Sequence, residues 1–172
     1  DGAELLVTDI DKKRVDSIIE KYGCQYVKPS DIISQDVDIY SPCAFGATVN
    51  KDSISQLKCK IIAGGANNVL QEADRDSKLL IKKNILYAPD YVINAGGLIN
   101  VANELEGYDK EKAFNQAEKT YDTLMSVFKR AKKESISTTK AAALQAEDRI
   151  KKIATLKSFY LPYKKTFKIR ND

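Results

Sequence analysis

The sequence predicts an α/β protein in which a doubly wound, mostly parallel sheet is followed by C-terminal helices. Between residues 4 and 105, short apolar runs alternate four or five times with stretches of helical periodicity. This alternation is typical of strand–helix–strand units with right-handed crossovers, which build a parallel sheet with helices on both faces. Beyond residue 109 the apolar residues recur only at helical spacing, so the rest of the chain is predicted to be helical.

The individual elements follow from the apolar runs and their boundaries. Residues 4–8, 25–27, 37–40, 59–63 and 85–87 are predicted strands, because each is a short apolar run bounded by polar or turn residues. Helices are predicted over residues 12–22, 50–57 and 74–83. Gly23 is expected to end the first helix, and Asn50 is expected to cap the second.

A longer stretch, residues 87–104, is predicted to form a strand, a bend, the end of a strand, a glycine turn and a helix. Pro89 and Asp90 interrupt the apolar run, and residues 92–93 are expected to complete a strand before Gly96 and Gly97 turn the chain. This interpretation puts Asn94 at the carboxyl end of a strand. Open α/β sheets bind ligands in the crevice beyond such ends.

Two long helices are predicted after this stretch, the first capped by Asp109 and the second covering residues 138–156. Seven apolar residues share one face of the first helix, and we interpret this face as core packing. They are Ala113, Phe114, Ala117, Tyr121, Leu124, Met125 and Phe128.

The composition is that of a globular protein without a membrane span. Of the 172 residues, 43% are hydrophobic and 30% are charged, and no apolar run approaches the roughly 18 residues that a spanning helix needs. We identify no secretory signal in the first residues. The cysteines Cys24, Cys43 and Cys59 lack C-x-x-C spacing and the chain has no histidine, so neither a disulfide framework nor a metal site is expected. Each cysteine is expected to be a small buried residue in a reducing cytoplasm.

The net charge of +4 is concentrated near the C-terminus. Residues 151–172 carry seven Lys or Arg and one acidic residue, whereas residues 1–150 carry a net charge of −2. Residues 162–172 are therefore interpreted as a solvated basic tail, and binding to nucleic acid is not expected. A tail that binds a polyanion is the alternative.

Three motifs together resemble the amino acid dehydrogenases of the leucine, phenylalanine, valine and glutamate group. They are residues 42–47 (Pro-Cys-Ala-Phe-Gly-Ala), residues 63–68 (Ala-Gly-Gly-Ala-Asn-Asn) and the stretch 87–104, in which residues 93–105 look most like leucine dehydrogenase. The resemblance extends from Gly2 to about Leu161. Two features depart from the family pattern: Phe45, where a smaller aliphatic residue is usual, and the basic tail.

Asp9 is the candidate ribose-binding residue of a dinucleotide site. In dinucleotide-binding folds, an acidic residue at a strand end follows the glycine-rich phosphate loop by about 20 residues and binds the adenine ribose. The loop and the first strand of a Rossmann-type sheet are therefore expected before Asp1. We accordingly interpret residues 1–161 as a truncated dinucleotide-binding domain with C-terminal helices, whose sheet lacks its first strand and has two unpaired inner edges. A solvated carboxylate or a helix N-cap is the alternative role for Asp9.

The resemblance implies NAD as the cofactor, because the charge of Asp9 would repel the 2′-phosphate of NADP. Ile10 would flank the adenine ring, and Cys43 and Ala44 would lie against the adenosine half of NAD. A nucleophilic role for Cys43 is not expected, because no histidine is available to activate it.

The nicotinamide half of NAD and the substrate are expected at the next two motifs. Ala66 and Asn67 would contact the nicotinamide ribose, and Asn94 would orient the nicotinamide carboxamide. Asn67, Leu98 and Val101 would contact the amino acid substrate, and two apolar residues suit a branched aliphatic side chain. The alternatives are a simple turn at Asn67 and ordinary core packing of Leu98 and Val101.

The resemblance therefore implies NAD-dependent oxidative deamination of a branched-chain L-amino acid to its 2-oxo acid and ammonia. The family's catalytic lysine and aspartate are expected outside this chain, in which we identify no catalytic residue and no metal ligand. The fragment alone is expected to be inactive, and the full-length enzyme is expected to be a homo-oligomer. A non-catalytic remnant of a disrupted gene and an anion-binding module acting through the basic tail are the alternatives.

Overall fold

The structure, a computed structural model, describes residues 2–105 and 107–157 of the chain. Its strands are short and all of their pairings are parallel. Strand β1 (Leu6–Val7) pairs with β2 (Gln25–Tyr26), with Leu6 opposite Gln25. A separate sheet has the order β3 (Ile39–Tyr40), β4 (Ile61–Ile62), β5 (Leu86–Tyr87). The predicted parallel pairing is confirmed within each of the two sheets.

Helices connect the strands and then continue without strands, as the alternation of patterns predicts. The helices are α1 (Lys12–Tyr22), α2 (Lys51–Gln56), α3 (Ala73–Lys82), α4 (Asp90–Ile93), α5 (Gly96–Glu104), α6 (Lys110–Glu134) and α7 (Thr138–Lys157), with a 3₁₀ turn at Ile32–Ser34. The basic tail, residues 162–172, lies outside the described residues.

The helix boundaries follow from capping side chains. Asp11 caps α1 by accepting the backbone N–H of Lys13 at 2.9 Å, and Gly23 ends this helix in the left-handed conformation (φ 65°) that glycine adopts without strain. Asn50 and Ser53 form a reciprocal capping box at the start of α2. These capping residues lie where the sequence predicts the helices to begin or end. The predicted bounds of α1, α2 and α3 therefore agree with the structure to within one or two residues.

The main core fills the space around β4 and α3. Its most deeply buried residues include Val49 and Ile62, both at 0% exposure, and Val69 and Leu80, both at 1%. Lys83 closes one side of this core, because its ammonium group donates to the carbonyls of Ile54, Ser55 and Leu57 at 2.8–3.0 Å. These are carbonyls at the C-terminal end of α2, which helical hydrogen bonding leaves unpaired.

The C-terminal helices pack against each other and against the end of β5. Val127 and Ala131 of α6 meet Ala141 and Ala142 of α7 in a second buried cluster. The hydroxyl of Thr138 donates to the carbonyl of Tyr87 at 2.7 Å, which fixes the start of α7 beside the residue that ends β5.

Two sequence-based predictions in this region are wrong. Residues 92–93 do not complete a strand, because they form the second half of the short helix α4, which begins directly at Asp90. The aromatic face of α6 is only partly core, since Phe114 is 62% exposed and Tyr121 is 68% exposed. The buried residues of α6 are instead Ala113, Val127 and Ala131.

Candidate functional site

The loops that follow β3 and β4 are joined by backbone hydrogen bonds. Ala66 N–H donates to the carbonyl of Pro42 at 3.0 Å, and Ala47 N–H donates to the carbonyl of Asn68 at 2.7 Å. The two loops therefore act as one unit at the carboxyl end of the larger sheet. This edge is where open α/β sheets bind ligands.

Two glycines permit the close approach of these loops. A Cβ atom added to Gly64 would lie 2.2 Å from the carbonyl oxygen of Pro42, and one added to Gly46 would lie 2.7 Å from the carbonyl oxygen of Asn67. Both contacts are with backbone atoms, which cannot move aside without separating the loops. Glycine is therefore required at both positions by packing, because no side chain fits between the two backbones.

Asn94 joins this unit to the segment that follows β5. Its amide nitrogen donates to the side-chain oxygen of Asn67 at 2.5 Å and to the carbonyl of Ala66 at 3.4 Å. Three of the predicted site residues are thus in mutual contact, although Asn94 ends helix α4 and not a strand. No hydrogen bond among the described residues uses the Asn67 amide nitrogen or the Asn94 amide oxygen. The pair therefore presents one donor and one acceptor to a ligand.

Asp90, which the sequence analysis treats only as a break in an apolar run, positions this amide pair. Asp90 is 8% exposed, and its carboxylate accepts the N–H of Val69 at 3.1 Å and the N–H of Tyr91 at 2.9 Å. It therefore ties the loop that carries Asn67 to the helix that carries Asn94. The signal available in the sequence is an acid directly after a proline, a residue type favoured in the first turn of a helix.

Tyr87, the last residue of β5, helps to hold Asp90 in place. Its phenolic oxygen accepts the N–H of Asp90 at 3.2 Å, and the tyrosine is 4% exposed. Burial is the largest cause that raises the pKa of Tyr87 above its ordinary value, and the nearby Asp90 carboxylate raises it further. The phenol therefore remains protonated through the neutral pH range.

Cys43 and Ala44 lie on the surface of the first loop. The prediction that Cys43 is buried is wrong, whereas Cys24 and Cys59 are buried as predicted. The Cys43 sulfur accepts the N–H of Gly65 at 3.4 Å. The sharp loop around Gly46 carries Cys43 outward, so the thiol and the neighbouring Ala44 are available to a ligand.

Asp9 and Ile10 follow β1, in the other sheet. Asp9 accepts the N–H of Asp11 at 2.8 Å, and Asp11 is the residue that caps α1. The alternative that Asp9 itself caps the helix is therefore wrong. Ile10 is 88% exposed. Within the described residues, no hydrogen bond or ion pair joins Asp9 to the Asn67–Asn94 pair.

Leu98 and Val101 lie one turn apart on α5 and are 76% and 56% exposed. They are not core residues in this chain. The opposite side of α5 is held to α6 by Asn103, which is 3% exposed and donates to the side-chain oxygen of Gln116 at 2.8 Å. The helix therefore presents an apolar surface outward, next to the segment that carries Asn94.

Two concavities on the described part of the chain lie away from the predicted site residues. One lies between β5 and the C-terminal helices and is lined by residues that include Leu80, Phe128 and Ile136; the other is polar and lies at the start of α6. The described residues contain no group of His, Cys, Asp or Glu arranged to hold a metal ion. None of the described helices has the length and apolar character needed to cross a membrane.

Comparisons with known proteins agree with the resemblance noted in the sequence. The family model for glutamate/leucine/phenylalanine/valine dehydrogenases matches residues 1–158. Over 161 residues the chain is 49% identical to leucine dehydrogenase from Bacillus cereus, covering 94% of this chain and 44% of that protein. Over 162 residues it is 44% identical to phenylalanine dehydrogenase from Thermoactinomyces intermedius, covering 93% and 44%. The chain thus spans less than half the length of these curated relatives.

A solved structure agrees at the level of the fold. The chain superposes on the crystal structure of L-tryptophan dehydrogenase from Nostoc punctiforme with a TM-score of 0.85 at 49% identity, covering 87% of this chain and 45% of that one. Sequence and structure therefore lead to the same assignment: this chain belongs to the glutamate/leucine/phenylalanine/valine dehydrogenase family.

Proposed function

We propose that this chain is the cofactor-binding part of an NAD-dependent enzyme that oxidatively deaminates a branched-chain, leucine-like L-amino acid to its 2-oxo acid and ammonia. The observation that carries the proposal is the contact between Asn67 and Asn94 at the carboxyl end of β3, β4 and β5. Two side-chain amides from separate segments, with one donor group and one acceptor unused, suit the amide group of nicotinamide and a ribose hydroxyl.

We assign NAD to the loops that follow β3 and β4 and to the segment that follows β5. Asn94 would bind the nicotinamide carboxamide, and Ala66 and Asn67 would bind the adjoining ribose. Cys43 and Ala44, exposed on a tightly turned loop, would lie against the adenosine half. The bound cofactor would supply the acceptor for the hydride that leaves the Cα atom of the substrate.

Asp9 would select NAD over NADP. Its second carboxylate oxygen has no hydrogen bond among the described residues and is available to the ribose hydroxyls, whereas the first oxygen is fixed by Asp11. The negative charge of Asp9 would repel a 2′-phosphate at the same position. Ile10, which is 88% exposed, would cover one face of the adenine ring.

The substrate side is the exposed apolar surface of α5. Leu98 and Val101 would contact the side chain of the amino acid, and Asn67 would bind its polar end. No lysine or arginine lies within α5, which disfavours a second carboxylate on the substrate. We assign no catalytic residue to this chain and expect the acid–base groups to lie in the part of the enzyme that this chain does not cover. We further propose a homo-oligomer, and a cytoplasmic location that suits three free cysteines.

The cofactor proposal is tested by calorimetric titration of the chain with NAD and with NADP. We expect a dissociation constant for NAD below millimolar. Asp9→Ser should weaken NAD binding by about tenfold or more, because a charged acceptor of two hydrogen bonds is lost, and should improve the relative affinity for NADP. Asp16→Ser, an exposed change on α1, is the matched control. Absence of NAD binding would favour a non-catalytic remnant, and an unchanged cofactor preference would exclude Asp9 from the site.

The substrate proposal is tested in a chimera. This chain would replace the matching 44% of Bacillus cereus leucine dehydrogenase, and kcat/KM would be measured for leucine, phenylalanine, tryptophan and glutamate. We expect leucine to be preferred, and truncation of Leu98 to Ala to lower its kcat/KM by about tenfold, the usual effect of lost contact in a hydrophobic pocket. A preference for an aromatic amino acid or for glutamate would contradict the assignment.

A further inference from the structure

The packing of this chain does not require glycine at position 97. Gly97 is the second residue of α5 and has ordinary helical backbone, since its φ is not positive. Among the described residues, a Cβ atom added here would meet no heavy atom within 4 Å beyond its chain neighbours and its own helix backbone. At Gly46 and Gly64, by contrast, an added Cβ would collide with backbone atoms. Alanine would fit at position 97 and would favour the helix more than glycine does.

Gly97 lies on the outward face of α5. Asn103 marks the opposite side, because it is 3% exposed and holds α5 to α6. At 3.6 residues per turn, Gly97, Leu98 and Val101 are turned away from Asn103 by about 120–160°. Gly96 is turned from Asn103 by only about 20° and so lies outside this face. One exposed face of the helix therefore carries a glycine between two apolar side chains.

The outward face has a notch at Gly97. Side chains of a helix tilt toward its N-terminus, so the Val101 side chain leans toward the turn that carries Gly97. Leu98 stands beside the glycine, and both apolar side chains are exposed, at 76% and 56%. An apolar group placed between them can reach the backbone of α5. A methyl group on residue 97 would occupy the same space.

The position of the notch indicates what it accepts. Gly97 follows Asn94 by three residues, which span at most about 11 Å. An asparagine side chain and a small amino acid together can bridge this distance. The contact between Asn67 and Asn94 offers polar groups to a ligand, whereas the notch offers only apolar contact. A ligand with its polar end at the two amides would therefore direct an apolar side chain along α5.

We propose that Gly97 is a specificity-determining residue: the notch above it accepts the branched end of an aliphatic amino acid side chain. The inference rests on the proposed function and deepens it, because it assigns the limit on side-chain length to one residue. Gly97 acts by leaving space and takes no part in the transfer of the hydride. A single methyl group in the notch should therefore reject a long side chain and still admit a short one.

The test uses the chimera in which this chain replaces the matching 44% of Bacillus cereus leucine dehydrogenase. The value of kcat/KM is measured for leucine and for L-2-aminobutyrate, whose side chain is two carbons shorter. Gly97→Ala should lower kcat/KM for leucine by at least about tenfold, the usual effect of one methylene group in a hydrophobic pocket. The value for 2-aminobutyrate should change by less than about threefold.

Gly96→Ala is the matched control. Gly96 is also an exposed residue in the first turn of α5, and a Cβ atom added to it would likewise meet no heavy atom of the described residues within 4 Å. Because Gly96 lies outside the outward face, its variant should keep both kcat/KM values within about twofold. Urea denaturation of the chain alone should give both alanine variants a midpoint equal to or above that of the unsubstituted chain. Loss of leucine activity in Gly97→Ala would then not be due to a damaged fold.

The possible outcomes separate this inference from the proposed function. Unchanged leucine kinetics in Gly97→Ala, equal losses for the two substrates, or an equal loss in Gly96→Ala would overturn the inference and leave the proposed function in place. A lowered urea midpoint for Gly97→Ala would also overturn it, because the glycine would then serve the fold. An unsubstituted chimera that oxidises no amino acid would overturn the proposed function, and the inference with it.

Discussion

The clearest test of the site geometry is removal of the Asp90 carboxylate. Its two oxygens each accept one backbone N–H, from Val69 at 3.1 Å and from Tyr91 at 2.9 Å. The two donors differ in their access to water, because Val69 is 1% exposed and Tyr91 is 55% exposed. Without Asp90, water can replace the acceptor for Tyr91 but not the acceptor for Val69.

The magnitude follows from these two bonds. A hydrogen bond to a charged group contributes about 1.5–3 kcal/mol, and a buried donor left unpaired costs about 1–3 kcal/mol. We therefore expect Asp90→Ala to lower the free energy of unfolding by about 3 kcal/mol. Asp90→Asn keeps one acceptor oxygen and should cost about 2 kcal/mol. Asp16→Asn, an exposed change on α1, should cost less than about 0.5 kcal/mol.

Urea denaturation followed by far-UV circular dichroism measures these differences. Hydrogen exchange at the Val69 amide provides a local readout, which should accelerate in both Asp90 variants. If Asp90→Asn is no more destabilising than Asp16→Asn, the carboxylate does not hold the two loops together, and the positioning role assigned to Asp90 is refuted.

Three further predictions concern the core and its edges. Leu80→Ala, at a position with 1% exposure, should lower the free energy of unfolding by about 2–5 kcal/mol, whereas Ile81→Ala, at 52% exposure, should cost far less; urea denaturation compares them. Lys83→Met should cost about 1 kcal/mol by releasing three carbonyls of α2, with Lys82→Met as the neutral control in the same assay. Above pH 9 stability should fall, because burial raises the pKa of Tyr87 in the folded state and the unfolded chain loses the phenolic proton first. Tyr87→Phe should reduce that slope by up to about 1.4 kcal/mol per pH unit, and an unchanged slope in a pH series of urea titrations would contradict this.

Most element boundaries are predictable from the sequence because they depend on local chemistry. Gly23 ends a helix through its own conformational freedom, and Asn50 begins one through its own side chain. Neither effect needs a distant partner. The alternation of apolar runs also identifies the parallel strands, because strand and helix periods differ.

The errors have non-local causes. Residues 92–93 are apolar and short enough for a strand, but they belong to helix α4, whose first residue, Asp90, is held by a hydrogen bond from the N–H of Val69, 21 residues earlier. The exposure of Phe114 and Tyr121 depends on which neighbouring helix approaches α6, which the sequence pattern of a single helix does not specify.

The candidate site also has a part that is predictable from the sequence and a part that is not. Its residue types are recognisable from motifs, and the contact between Asn67 and Asn94 agrees with the prediction that both lie at one sheet edge. The backbone hydrogen bonds that the side chains of Asp90 and Tyr87 accept, and that position the pair, are not predictable because they depend on how three segments meet. The roles of Asp9, Cys43 and the other site residues stay predictions.

The most direct test of the central claim, that Asp9, Asn67 and Asn94 form one dinucleotide site, is an NMR titration of the isotopically labelled chain with NAD. The signals to follow are the side-chain carboxyl of Asp9 and the side-chain amides of Asn67 and Asn94. The proposal predicts that all three shift and saturate with a single dissociation constant. Shifts at the two asparagines without any at Asp9, or shifts that fit different dissociation constants, would contradict it.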